Sequence, residues 1–379
     1  VVSDDEVVVE VWDKTRTQRV WIGDPIRLTA TPRHNQQPTG AITIPLDHGR
    51  FGPLQTPGAR VVVRYRDEHL LGGPVRSMRT EGGALDRRAI FEIEDDWRLL
   101  TRLLAWQVPA AAITAQSGAE HHVVTGPAET VVKTLLGAAI TRTGAPITVA
   151  TDQGRGEVIT VRARMARPAD VLLPLIDQAG IGVTVQQTGA GWVLDVYEPS
   201  TWPGVLSEAG GTLVDLSWSR TAPTATRVVL GADGEGTDRT FRALVDSALE
   251  TQWGDVVEVF VDARDLKSAD GGFTDAATTR MAAALAAGAP LTGLSVSLAE
   301  AGRFRYGGAS GVHVGDLVAV ELTPGAAPVT DVLRSATLTW DRTGARVTPV
   351  VGERRDDPDE ATARAIAAAH QAIRVEQRR

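Results

Sequence analysis

Glu92 and Glu94, two residues apart, are the nearest approach in this chain to a catalytic pair. On a strand both side chains point to one face, which is the minimum a paired-carboxylate hydrolase needs. Nothing near them in sequence supplies a substrate platform, so their expected place is the solvent face of a strand. The other dense group is Glu120-His121-His122. Adjacent histidines on a strand point to opposite faces and cannot share a metal, and the helical His-Glu-x-x-His zinc spacing is absent. A solvent-facing loop or strand end is expected there. His34, His48, His69, His313 and His370 stand in no context that resembles a nucleophile elbow. Zero cysteines exclude disulfides, thiolate catalysis and cysteine-ligated metals. Gly231-Ala232-Asp233-Gly234-Glu235-Gly236 follows a strand as a phosphate loop would, but two acids and no lysine repel phosphate, so it reads as a flexible connection. No catalytic, cofactor-binding or metal residue is assigned, and neither enzymatic activity nor a cofactor is expected.

Nine tryptophans against three tyrosines offer a second chemistry, since an exposed indole can stack on a sugar ring. Trp97 and Trp106 fall in a helical pattern and Trp12, Trp192, Trp218 and Trp340 in strand patterns, where burial in a core or interface is expected. Only Trp202, in Ser200-Thr201-Trp202-Pro203-Gly204, lies in loop chemistry.

The elements around these residues are mainly short strands. Residues 1–93 read as a first small antiparallel β-barrel, with β-rich runs such as Val7–Trp12 and Arg60–Tyr65 separated by turn signals at 34–40 and 56–58. Residues 94–207 alternate helices with strands and close on a hairpin whose turn is Thr188-Gly189-Ala190-Gly191. Strands return in 208–236 and again in 308–352. Neither group makes a stable sheet alone, so together they read as a second barrel interrupted by an α+β insertion at 237–307. The insertion is expected to hold a helix near Arg239 to Thr251 and an Ala-rich helix from Thr274 to Ala287. The fold class is thus α+β and β-rich: two small antiparallel β-barrels with mixed α+β domains between and within them, plus a C-terminal helix.

That helix belongs to the tail, 353–379. Pro358 stands at its start, acids fill its first turn and Arg374, Arg378 and Arg379 its end, all matched to the helix dipole. Its apolar stripe of Ile366, Ala369 and Ile373 is too thin to hold the helix alone, so these three residues are the expected interaction surface. The tail is expected to be dispensable for folding of the barrels and needed for docking to another protein.

Two segments in the middle carry the most specific signal. In Glu94-Asp95-Asp96-Trp97, running on to Trp106, a helix is expected with Trp97, Leu100 and Leu104 on one face. In Gly126-Pro127-Ala128-Glu129-Thr130-Val131-Val132-Lys133, Pro127 suits the first helical position, Glu129 the first turn, and Gly144 stops the helix. The two in this order, with Pro57-Gly58-Ala59-Arg60-Val61-Val62-Val63, Gly73-Pro74-Val75 and Val314-Gly315-Asp316-Leu317-Val318-Ala319-Val320, resemble the tail hub (minor tail protein) family of long-tailed actinobacterial phages, distant relatives of the baseplate hub of contractile-tailed phages. The order of the motifs carries the resemblance, which spans the chain to about Gly352.

The resemblance implies a structural role in the virion tail tip. Three copies would form a ring whose six barrels match the sixfold tail tube on one face and the threefold tip on the other. The implied partners are two further copies, the distal tail protein or tube end, the tape measure protein, and other tail-tip or fibre proteins. DNA would pass through the lumen without specific binding, and the net charge of −8 suits a conduit that should not hold a polyanion. A tail-tip protein that acts on the cell wall through Glu92 and Glu94, or binds host carbohydrate through exposed Trp, is the alternative. No apolar run approaches the ~20 residues needed to cross a bilayer, and the acidic N-terminus is unlike a signal peptide, so no membrane insertion and assembly in the host cytoplasm are expected.

Overall fold

The structure, a computed structural model, describes residues 7–83, 86–288, 291–298, 300, 304–323, 325 and 327–352. Ile366, Ala369 and Ile373 lie outside the described residues. The chain is α+β and strand-rich. It divides into two compact units, one of Val1–Leu216 with Val296–Gly352, the other built on Ser217–Ser295.

The first unit opens with strands β1 (Val7–Trp12), β2 (Arg19–Ile22), β3 (Arg27–Thr31), β4 (Thr39–Pro45), β5 (Arg60–Tyr65), β6 (Glu68–Glu81) and β7 (Arg88–Glu94). Their Val- and Ile-rich runs suit a pleated, half-buried surface. Val9, Val11, Val61, Val63, Ile42 and Phe91 are all buried. The β5–β6 turn is unusual in using Arg66 and Asp67, both at positive φ (50° and 66°), in place of glycine. Such a turn matches strand twist but strains a residue with a Cβ. The Arg66 guanidinium is gripped by Glu300 (2.7 Å) and the Tyr306 carbonyl (2.9 Å), which holds the turn.

Between β7 and the return of the large sheet lie β8 (His122–Pro127) paired with β10 (Val158–Ala163), and β9 (Ile147–Val149) beside the hairpin of β11 (Gly182–Thr188) and β12 (Gly191–Tyr197). Helices α3 (Ala128–Thr143) and α4 (Pro168–Ile176) cover them, after the shorter α1 (Phe51–Gln55) and α2 (Leu99–Arg102). Leu135, Leu136, Leu172, Ile176 and Leu194 form the centre of this second core. Strands β13 (Thr201–Leu206), β14 (Leu213–Thr221), β18 (Leu291–Leu298), β19 (Leu317–Val320), β20 (Val329–Asp341) and β21 (Gly344–Val351) then rejoin the large sheet, whose order is β14-β18-β21-β20-β3-β4-β7-β6-β5-β1-β2, with β19 bridging β13 and β20. Strands from both ends of the chain therefore share one sheet through the β3–β20 ladder, and the order does not close on itself among the described residues.

Two long strands shape that sheet in the same way. β6 pairs with β5 through Glu68–Pro74, shifts register between Val75 and Ser77, and pairs with β7 from there on. β20 pairs with β19 through Val329–Val332, shifts between Leu333 and Ser335, and runs on beside β21. A bulge bends and twists its strand, so each long strand turns where it passes from one partner to the next.

The second unit is a three-stranded sheet, β16 (Phe241–Val245), β15 (Arg227–Gly231) and β17 (Glu258–Asp262), with α5 (Ser247–Trp253) and α6 (Phe273–Ala287). α6 packs Phe273, Ala277 and Met281 on Val228 and Leu230.

Several expectations change in detail. The helix expected from Glu94 to Trp106 is a single 3-10 turn, Asp96–Arg98, followed by the four-residue α2. Leu103 is extended, because the chain leaves the helix to pair Ala105 with Ala166, and Leu104 ends 40% exposed where the helical face would have buried it. Pro127 caps α3 from outside rather than opening it, while Gly144 stops it in the left-handed conformation. The helix expected near Arg239 to Thr251 divides into β16 and α5, since Phe241, Ala243 and Val245 alternate along a strand and Asp246 caps the helix through the Leu249 N–H at 2.9 Å. Arg227–Gly231, read with the second barrel, pairs with β16 and β17.

Candidate functional site

Glu92 and Glu94 lie on β7 as expected, each tied to arginine. Glu92 accepts from Ser77 and Arg79, both at 2.6 Å, and those contacts hold its carboxyl below the usual range, the opposite of what a general acid requires. Glu94 pairs with Arg102 at 2.6 Å and Arg76 at 2.9 Å. His122 opens β8, with burial lowering its imidazole, while Glu120 is exposed. Among the described residues no three His, Asp or Glu side chains are grouped for a metal ion. The Gly231–Gly236 segment is a tied turn rather than a flexible connection: Asp233 bonds the Leu266 carbonyl through its N–H and accepts from the Ser268 N–H at 2.9 Å. Trp12 and Trp97 are buried, but Trp218 is 52% exposed. Trp202, expected in a loop, is on β13 with its ring edge-on to Phe304.

The structure concentrates its buried charge at the seams of the first unit. Arg60, on β5 within the Pro57–Val63 motif, forms an ion pair with Asp96 and donates to Gln187 Oε1 at 2.8 Å, with its guanidinium 4.2 Å from the Trp192 ring centre. Burial lowers the Arg60 guanidinium and raises the Asp96 carboxyl, each opposed by the other's charge. Arg16 reaches the same hairpin, donating to the Ala190 carbonyl at 2.8 Å. The first strand group is thereby locked to β11–β12.

Beside this lock, Asp95 caps the 3-10 turn. It accepts from the Trp97 N–H and, across the seam, from the Gly72 N–H, both at 2.8 Å, yet burial pushes its carboxyl up to about 7. Gly72 and Gly73 permit this approach. A Cβ on Gly73 would lie 1.9 Å from the Glu94 carbonyl oxygen, and one on Gly72 2.7 Å from His69 Nε2. Burial, with Arg64 nearby, pushes the His69 imidazole down to about 4. Asp95, His69, Glu68, Tyr197 and Tyr306 share a cavity of about 80 Å³, room for several water molecules at ~10–15 Å³ each.

A third cluster joins the other end of the sheet. Asp177, just past α4, accepts from Asn35 (2.6 Å) and Arg334 of β20 (2.6 Å) and lies 3.2 Å from His34, whose Nδ1 meets the Tyr197 hydroxyl at 2.8 Å. Burial works to raise the Asp177 carboxyl, but His34, Arg334 and Asn35 outweigh it and hold it well below the usual range. Within the α+β core, Glu129 is fully buried and accepts from Arg155 and, at 2.6 Å, from Lys133, which also donates to Asp195. The Arg155 hydrogen bonds lead in holding Glu129 below its usual range. In none of these clusters does an imidazole meet a serine or threonine hydroxyl. Their chemistry is fastening.

The family described as Siphovirus ReqiPepy6 Gp37-like protein matches residues 8–353. The chain belongs to this family. Among curated proteins none matches the chain. Among solved structures, the chain is similar to the 43 kDa tail protein of prophage MuSo2 from Shewanella oneidensis, at 11% identity and a TM-score of 0.57, over 92% of this chain and 98% of that one. It is likewise similar to the tail protein from Neisseria meningitidis MC58, at 11% identity and a TM-score of 0.53, over 92% of this chain and 96% of that one. At that identity the likeness is one of fold.

The fastening residues were only partly visible beforehand. Glu129 and Lys133 stand four apart on an otherwise apolar helix, the spacing of an intrahelical pair. Arg60, Asp96, Asp177 and Arg334 carry no such local mark, because their partners are 36 to 157 residues away.

Proposed function

We propose that this chain is the hub of a siphovirus tail, a ring of three copies that adapts the sixfold tube to a threefold tip around the channel for tape measure protein and DNA. The observation that carries the reading is the repeated corner: β6 and β20 are each long, bulged at mid-length, and change partner at the bulge. Two strand groups built on one device are what a chain needs if three copies are to present six similar hub domains, here one built around β6 and one around β20. The solved prophage tail proteins that share the fold nearly end to end support a tail-tip position. In that position the tube end or distal tail protein lies on one side and tip or fibre proteins on the other. The charged seams suit a part that must keep its shape while a tube is built on it. An electron-microscopy reconstruction of the tail tip tests this. Three copies around the channel are expected; six copies, or one, would refute the ring.

The exposure of Trp218 (52%) and Trp21 (52%) favours a second reading, contact with host-wall carbohydrate. Arg19 already covers Trp21, with its guanidinium 4.5 Å from the ring centre, which leaves Trp218 as the residue to test. Equal binding of purified wall polysaccharide by the native chain and by Trp218→Ala would end that reading.

A further inference from the structure

The second unit buries one face of its sheet and leaves the other open. Cross-strand register sets Phe241, Gly231 and Asp262 in one row, Ala243, Val229 and Phe260 in the next, and Val245, Arg227 and Glu258 in the third, all on the face away from α6. Phe241 and Phe260 are each 54% exposed and Val245 45%. The arrangement is built rather than incidental. A Cβ on Gly231 would lie 2.8 Å from the Phe260 ring and 2.7 Å from Arg239, so glycine lets both lie across the sheet. The Arg239 guanidinium sits 5.5 and 5.4 Å from the Phe241 and Phe260 ring centres and is held by Asp262 and the Gly231 carbonyl. The opposite core is thin: seven buried residues among those described, three of them alanines. Small cores of this size need further burial to stand alone.

We infer that the open face is covered by the C-terminal segment of this chain, residues 358–379, through Ile366, Ala369 and Ile373. The length fits: 22 residues as a helix span about 33 Å, and the eight residues from Ile366 to Ile373 cover ~10 Å of strands that are ~17 Å long. Alanine between the two isoleucines lets a helix approach closely over the phenylalanine rings. Charge fits as well. Residues 217–295 hold eleven acids against seven bases, a net charge of −4, whereas 358–379 hold four arginines against three acids, a net charge of +1, with three of the arginines in the last six residues. The partner surface for the stripe is then on this chain and not on another tail protein. The inference is independent of the hub reading, because it is tested on the purified chain.

The absence of cysteine makes disulfide trapping in the full chain decisive. Ala243→Cys with Ala369→Cys should cross-link under mild oxidation at least tenfold faster than Val158→Cys with Ala369→Cys, a control at a 70% exposed position of the first unit. Adding Ile366→Asp and Ile373→Asp should return the rate to the control value. Equal rates in the two cysteine pairs would overturn the inference. So would rapid disulfide dimerisation of Ala243→Cys alone, which would place a second copy's sheet on this face.

Discussion

Arg60 and Asp96 are both nearly fully buried, so their pairing offsets a desolvation cost rather than adding a surplus. Removing one partner strands the other: Asp96→Ala should cost about 3–5 kcal/mol, and pairing Asp96→Leu with Arg60→Met should recover much of it, as read by chemical denaturation. If the double variant is no more stable than the single one, the pair is not what holds the seam. Asp95 differs, because its folded carboxyl titrates at about 7, above the 3.8 of the unperturbed group. Its stabilising contribution is full below about 4 and lost as pH rises through 7. His69 has the reverse sign: its folded value of about 4 lies below 6.5, so its contribution is present above 6.5 and lost as pH falls toward 4. Asp95→Asn removes only the first term. Its Tm deficit against the native chain should narrow from pH 5 to pH 8, and a deficit that stays constant would show that Asp95 is ionised throughout.

At the scale of elements, the corner in β6 depends on backbone passing close to backbone. Gly73→Ala puts a methyl against the Glu94 carbonyl, an overpacking worth ~1–3 kcal/mol, and should lower the first unit's Tm by about 3–10 °C. Gly49→Ala, with nothing within 4 Å, should leave it unchanged. Much at this scale was legible. The hairpin β11–β12, the stop of α3 at Gly144 and the extent of α6 follow from glycine placement and periodicity, which are local. What failed was also physical. The Glu94–Trp106 stretch has helical spacing, but Asp95 and Asp96 are engaged across the seam and Ala105 pairs with Ala166, so tertiary partners override the propensity. Phe241 to Val245 fits a helix or a strand equally well until β15 is there to pair with it. The fastening clusters join segments that no local window contains, though the family motifs Pro57–Val63 and Gly126–Lys133 include Arg60, Glu129 and Lys133.

For the whole molecule, the two units rest on unequal cores. The first has a large sheet stitched by buried ion pairs around a broad apolar centre, and the second has one helix against three short strands. Heating should therefore separate them, with the second unit unfolding first. Deleting residues 353–379 sharpens the distinction. If the tail covers the open sheet face, its loss re-exposes Phe241, Val245 and Phe260, and hydrophobic burial at about 25 cal/mol per Å² makes even a modest patch worth ~1–2 kcal/mol. In a unit this small that lowers the transition by about 4–15 °C. The first unit should then keep its transition within about 1 °C. Differential scanning calorimetry of the full chain against a chain ending at Gly352 reads both. A fall in the upper transition would assign the tail to the first unit's core, and two unmoved transitions would leave Ile366, Ala369 and Ile373 to a partner elsewhere in the virion.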